Sequence, residues 1–214
     1  MSSPSVIARQ ELLSLIARVS FRLGQFKLSS GGTSDYYIDC RTTTLHAEGA
    51  RLTGRVFFDE IVRRGWGPKA IGGLTMGADP IVVAVAMLSA QTFQWRVEDD
   101  GKALIHDLIH GFLVRKAEKA HGTGQRIEGF REKGAKVVIV DDVCTTGAST
   151  VQAIEAAREF GFQVVGVMCL VEREESNGRP AVEKAAGGVP FVSLYTSSEV
   201  RAEHIRQLDR AAQV

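Results

Sequence analysis

The run Val137-Val-Ile-Val-Asp-Asp-Val-Cys-Thr-Thr-Gly-Ala-Ser-Thr150 limits the fold more than any other stretch of this chain. A strand over Lys136 to Val140, apolar from Val137 onward, is expected at the centre of a parallel sheet, buried on both faces. It runs into Asp141 and Asp142, and a loop of small hydroxyl residues around Gly147 then leads into a helix predicted over 148–160. Open α/β sheets hold their ligands at the carboxyl ends of the strands, so two carboxylates there mark a site. A small-residue loop at a helix N-terminus turns backbone N–H groups and the positive end of the helix dipole outward, which suits a phosphate dianion. Gly147 lets the backbone come close, and the hydroxyls of Thr145, Thr146 and Ser149 add donors.

This loop is not a Walker A sequence, because no lysine follows the glycine, and the GxGxxG dinucleotide fingerprint is missing. Adjacent carboxylates before a phosphate cradle suit a ligand with a phosphate at one end and vicinal hydroxyls beside it. Phosphorylated ribose has that shape. A helix merely capped by Thr or Ser, with solvated aspartates, leaves the combination unexplained.

Elsewhere strands and helices alternate. Periodicity predicts a helix over 5–19, a Gly/Ser loop over 29–34 and a short strand over 36–39. A helix over 47–64 is stopped by Gly65 and Gly67, a strand covers 70–74, and Pro80 opens a helix to about Ala90. Residues 91–109 read as polar and irregular with a possible hairpin, 111–115 as a strand, and 116–135 as a long charged loop without sustained period. Loops of that length are usually functional. Strands over 163–170 and 191–195, a helix near 180–186 and a last helix from Ser198 complete the pattern. The fold class is therefore α/β, a central parallel sheet flanked by helices.

Composition removes several function classes. In 214 residues, 44% hydrophobic and 24% charged, the formal net charge is +1, so no general nucleic-acid or membrane surface is expected. The longest apolar stretch, 81–90, is too short to span a bilayer, and the N-terminus lacks a continuous apolar signal core. A cytoplasmic protein is expected. Cys40, Cys144 and Cys169 are too scattered for a disulfide framework or a zinc site and read as buried, reduced residues.

The basic stretch Arg115-Lys-Ala-Glu-Lys-Ala-His-Gly-Thr-Gly124 sets Arg115, Lys116, Lys119 and His121 beside two glycines that let the loop open and close. Cations brought in on closure would stabilise an anionic leaving group and exclude water. Gly72-Gly-Leu-Thr-Met-Gly77 forms a second backbone-lined loop, and Arg173 ends a mostly apolar strand, where it could pair with Glu172 or Glu174.

Val138-Ile-Val-Asp-Asp-Val-Cys-Thr-Thr-Gly147 resembles the phosphoribosyl-pyrophosphate motif of type I phosphoribosyltransferases. The 115–124 loop with Ile127-Glu-Gly129, the stretch Gly31 to Arg41 and Val171-Glu-Arg173 resemble the orotate phosphoribosyltransferases in particular. The resemblance implies one phosphoribosyltransferase domain over 1–214, of the type I fold, with a smaller N-terminal hood and a mobile catalytic loop over about 115–130. It casts Lys119, Asp141 and Asp142 as catalytic. It places the donor on Asp141, Asp142, Val143, Cys144, Thr145, Thr146, Gly147, Ala148 and Ser149, with Arg115, Lys116, Lys119 and His121 on the pyrophosphate. Arg173 would fork onto the orotate carboxylate, with Thr145, Tyr37 and Ile38 around the base. Mg²⁺ would arrive on substrate oxygens, without direct protein ligands, and a homodimer would share the loop between subunits. Parts of the family carry basic residues where this chain has Ser29, Gly32 and Gly77. Two other readings are a transferase for a different base, opposed by Arg173 and the basic loop, and a nucleic-acid-binding regulator, opposed by the near-neutral charge.

Overall fold

The apolar run of 137–140 splits its side chains between two hydrophobic layers. Val138 and Val140 face one side of the sheet with Met168 and Leu170, while Val137 and Ile139 face the other with Val167 and Cys169, all fully buried. Residues of a strand alternate between faces, so a continuous apolar run needs cover on both. The computed structural model describes residues 4–27, 32–92, 96–97, 103–104, 108–116 and 126–213.

Along the chain come α1 (Pro4–Val19), β1 (Phe21–Lys27), β2 (Thr33–Ile38), α2 (Arg41–Thr44), α3 (Ala47–Arg64), β3 (Ala70–Leu74) and α4 (Asp79–Thr92). There follow β4 (Arg96–Val97), β5 (Ala103–Leu104), β6 (His110–Val114), β7 (Ile127–Gly129), β8 (Lys136–Cys144) and α5 (Ala148–Phe160). The chain closes with β9 (Gln163–Glu172), a 3₁₀ turn (Glu174–Ser176), α6 (Arg179–Ala186), β10 (Phe191–Thr196) and α7 (Ser197–Ala212). The main sheet has the order β10-β9-β8-β3-β6-β7, parallel throughout except for the antiparallel edge strand β7. The helices α1, α3 and α4 cover one face, and α5 and α6 the other. This is the expected α/β sandwich with its central strand in place.

Local chemistry sets the helix ends. His46 accepts from the Gly49 N–H to cap α3, and Gly65 stops it at φ 64. Thr196 and Glu199 form a reciprocal capping box at α7.

Four sequence expectations shift. A strand at 21–27 was not foreseen; β1 buries only Phe21, so it carries no alternation to read. It pairs antiparallel with β2, which begins at Thr33 and ends at Ile38, leaving Asp39 beyond the strand. The charged segment 116–135 contains β7, three residues held by the edge of β6. The central strand runs on to Cys144, so Asp141 and Asp142 belong to its last residues and take their directions from the ladder with β9. The four described residues of β4 and β5 pair antiparallel, as a hairpin would. The three cysteines are buried and unpaired.

Candidate active site

The carboxyl ends of β8, β3 and β9 and the start of α5 enclose a cleft of about 310 Å³. Its floor is the pair Asp141 and Asp142. Asp141 is 5% exposed. Its Oδ2 accepts from the Thr150 hydroxyl at 2.8 Å, and its Oδ1 from the Asp142 N–H at 3.0 Å. Asp142 Oδ1 accepts from the Val143 N–H at 2.9 Å. Burial, and then the charge of Asp142, push the Asp141 carboxyl up to about 7, and burial raises Asp142 as well. Two carboxylates fixed this way present a prepositioned set of acceptors to the hydroxyls of a ligand.

Beside them lies the N-terminus of α5. Gly147 occupies the cap position at φ 77, and no side chain caps the helix. The first-turn N–H groups therefore have no intrahelical or capping partner, which is the arrangement that receives an anion. Thr145 and Ser149 line the cleft next to this turn. The hydroxyl of Thr150, outside the sequence-predicted set, serves instead as the anchor of Asp141.

Opposite the cradle, Thr75, Met76 and Gly77 follow β3 and form the other wall. The Thr75 hydroxyl donates to Asp79 Oδ2 at 2.7 Å, tying this turn to the first residue of α4. A Cβ on Gly77 would lie 2.4 Å from Asp142 Oδ1, so a side chain at this position would displace the carboxylate. The absence of a basic residue at 77 thus goes with the close approach of the two loops.

Arg173 stands at the far end, 8% exposed. Of the acids open to it as structural partners, neither Glu172 nor Glu174 pairs with Arg173. Glu172 is taken by Arg179, and Glu174 accepts from Ser198 at the start of α7. The 3₁₀ turn instead brings back Glu175, whose Oε1 accepts from Arg173 Nε at 3.0 Å and Nη2 at 2.9 Å. Tyr36 completes the clamp: its ring lies under the guanidinium at 4.6 Å, and its hydroxyl, which donates to Glu175, also accepts from Arg173 Nε at 2.9 Å. Ser34 Oγ accepts from Nη2 at 3.3 Å. The β1–β2 hairpin is thereby fastened over the end of β9.

Of the sequence-predicted residues, Tyr37, Ile38, Lys116, Asp141, Asp142, Val143, Thr145, Ser149 and Arg173 share this cleft. Tyr37 is exposed, whereas Ile38 is buried. Thr146, Gly147 and Ala148 form the turn beside the cleft without lining it. The Cys144 side chain is buried in the core layer with Val182 and Cys169, so only its backbone is available to a ligand. Arg115 lies outside the lining and pairs with Glu128 at 3.5 Å. Lys119 and His121, like Ser29, fall outside the described residues.

Asp39 and Arg41 were missed. Both line the cleft, and Arg41 grips Asp39 through two 2.8 Å bonds that hold the carboxyl below its usual range. Their signal was an Asp-Cys-Arg turn directly after a strand. Among the described residues, no three His, Cys, Asp or Glu side chains converge as a metal cage. The paired carboxylates suit an oxygen-seeking ion that arrives with several of its own oxygen ligands.

Comparison with known proteins matches the phosphoribosyl transferase domain family over residues 111–188. The chain is 39% identical to an orotate phosphoribosyltransferase of Aquifex aeolicus over 198 residues, covering 91% of this chain and 98% of the relative. It is 43% identical to one of Thermosynechococcus vestitus over 195 residues, covering 91% and 93%. Among solved structures, Mycobacterium tuberculosis orotate phosphoribosyltransferase in complex with Fe(III) dicitrate aligns with a TM-score of 0.71 at 35% identity, over 90% of this chain and 98% of that one. The same enzyme in complex with 5-phospho-α-D-ribosyl 1-diphosphate aligns at 0.65 and 28% identity, over 94% and 93%.

Proposed function

This chain belongs to the orotate phosphoribosyltransferase family, and from that membership we propose how its cleft divides the work between two substrates. The reaction joins orotate to the ribosyl carbon of 5-phosphoribosyl pyrophosphate, giving orotidine 5′-monophosphate and pyrophosphate for pyrimidine biosynthesis. The observation that carries the assignment of roles is the sharing of one cleft by the uncapped turn of α5, the Asp141–Asp142 pair and Arg173.

The N–H groups and hydroxyls of 145–149 hold the 5′-phosphate, with Val143 and Cys144 contributing backbone beneath it. Asp141 and Asp142 accept the ribose hydroxyls and so fix the face of the sugar presented to the base. Arg173 forks onto the acceptor carboxylate, a planar two-point contact that a lysine cannot copy. Glu175 occupies the Nε–Nη2 edge and Ser34 also accepts from Nη2, so the acceptor forks onto the Nη1–Nη2 edge by displacing the longer Ser34 bond. Thr145, Tyr37 and Ile38 flank the ring.

Orotate attacks as its ring-deprotonated anion, the N–H proton having passed to solvent before the C–N bond forms, so no side chain has to act as general base in that step. Charge builds on the departing pyrophosphate, and Arg115, Lys116, Lys119 and His121 answer it, with Lys119 as the main catalytic lysine. Mg²⁺ would supply further charge neutralisation there, and Asp141 and Asp142 would hold it through water.

The protein acts as a cytoplasmic homodimer whose catalytic loop reaches the neighbouring subunit's site. Support for the dimer comes from apolar side chains left in solvent, of which Met76 lines the cleft. Val83 and Met87, one turn apart on α4, and Met76 and Leu45 on adjoining elements are all more than half exposed.

Pyrophosphate release with the donor, Mg²⁺ and each of orotate, uracil, adenine and hypoxanthine tests the acceptor. Orotate is expected to turn over; uracil, without the carboxylate, is expected to be slower by about 10²-fold or more. Turnover with a purine alone would overturn the choice of base.

A further inference from the structure

We propose that the turn into α6 is the back wall that positions the phosphate loop, and that Gly178 is a positioning residue for the donor. The inference rests on the reading of 145–149 as the phosphate cradle. A Cβ added at Gly178 would lie 2.1 Å from the Thr145 carbonyl oxygen, 2.7 Å from the Thr146 carbonyl carbon and 2.8 Å from the Gly147 nitrogen. All three are backbone atoms, so no side chain can swing aside to admit it. From the other side, a Cβ on Gly147 would lie 2.7 Å from Val182 Cγ2 and 2.9 Å from the Gly178 carbonyl oxygen. The two backbones meet glycine to glycine.

Gly178 has φ −78, a conformation open to any residue. Space alone demands glycine there. At Gly147, φ 77 demands it as well.

The wall is itself held firmly. The Arg173 N–H donates to the Cys144 carbonyl at 2.9 Å, at the near end of the 173–178 segment. Arg179, directly after Gly178, donates to Glu172 at 2.9 Å and to Glu183 at 3.2 Å, and lies over the Phe191 ring at 4.7 Å. Val182, fully buried, sits under Gly147. One rigid segment therefore joins the acceptor arginine at one end to the support of the donor loop at the other. A loop that must aim several N–H groups at one phosphate works only if it cannot relax, and this contact supplies the constraint.

The test compares Gly178→Ala, Val182→Ala and Asn177→Gly by donor KM, orotate KM, kcat and thermal midpoint. Gly178→Ala displaces the 145–147 backbone and is expected to raise donor KM by about tenfold or more, with orotate KM within about twofold. Val182→Ala withdraws support from beneath Gly147 and is expected to raise donor KM several-fold in the same selective way. Asn177 already has φ 51, so Asn177→Gly keeps the backbone path while loosening the wall; its donor KM is expected to shift less than that of Gly178→Ala, and an equal shift would overturn the part given to Gly178. An unchanged donor KM in Gly178→Ala, or a rise matched by orotate KM, overturns the proposal. Should Gly178→Ala fail to fold, Val182→Ala decides alone by the same criterion. Ser149→Glu places an anion within the cradle itself. If it raises donor KM while the wall variants do not, only the wall is refuted; if none of the three does, the cradle reading falls.

Discussion

Replacing Arg173 by alanine is expected to lower kcat/KM for orotate on the order of 10²–10³-fold while donor KM stays within about twofold. The size follows from what is removed. Arg173 is 8% exposed, so in the proposed role its guanidinium would meet the substrate carboxylate where little water can screen or replace it. Selectivity follows from position, because the phosphate turn is supported by α6 and not by the arginine side chain. The fold should tolerate the change: Glu175 keeps its bonds from Tyr36 and Ser197, and its own side chain is half exposed to water. Arg173→Lys keeps the charge but loses the fork, and most of the defect should remain. Equal weakening of both substrates would mean that Arg173 mainly holds the β1–β2 hairpin in place.

Asp141→Asn is expected to weaken donor binding by about 10–10²-fold, the loss of one charged acceptor for a ribose hydroxyl. The same change is expected to stabilise the free protein at pH 8. Burial and Asp142 raise Asp141 to about 7, above its value of 3.8 in an open chain. A group raised in this way contributes its stability in full below 3.8 and loses it as pH rises through 7. Above pH 7, therefore, the fold bears a buried charge at a cost of about 1.4 kcal/mol for each unit of the shift. The amide removes that cost, so the stabilisation should be a few kcal/mol at pH 8 and shrink toward pH 5. Sterically the exchange is mild, since the Thr150 hydroxyl can turn from donor to acceptor. In the unaltered protein the same titration predicts donor affinity falling as pH drops below about 7. A pH-independent donor KM between 6 and 8, with no thermal gain in the variant, would remove Asp141 from this role.

Much of this could be read from the chain because several segments obey local rules. The apolar run 137–140, the helix 47–64 ended by Gly65 and the strand 70–74 appear where periodicity and stop signals put them. The phosphate turn was legible because strand, carboxylates and glycine are contiguous. What escaped depends on partners distant in sequence. β1 buries only Phe21, and β7 exists only as an edge to β6, so neither carries a pattern of its own. Tyr36 and Tyr37 are alike in sequence. The register of the β1–β2 hairpin turns Tyr36 onto Phe21 and Arg173 and leaves Tyr37 at the cleft. The choice of Glu175 over its neighbours is made by a single 3₁₀ turn. Gly178 gave no signal, since its role is a contact with a loop more than thirty residues earlier.

In the proposed reading one cleft holds phosphate and base at opposite ends, with the ribose over Asp141 and Asp142. A crystal structure with orotidine 5′-monophosphate bound tests it most directly, because that single molecule carries both anchoring groups. The phosphate is predicted to accept hydrogen bonds from N–H groups within 145–149, and the base carboxylate to lie on Arg173. A phosphate seated instead on Arg41 or Lys116, with the carboxylate away from Arg173, would contradict the account.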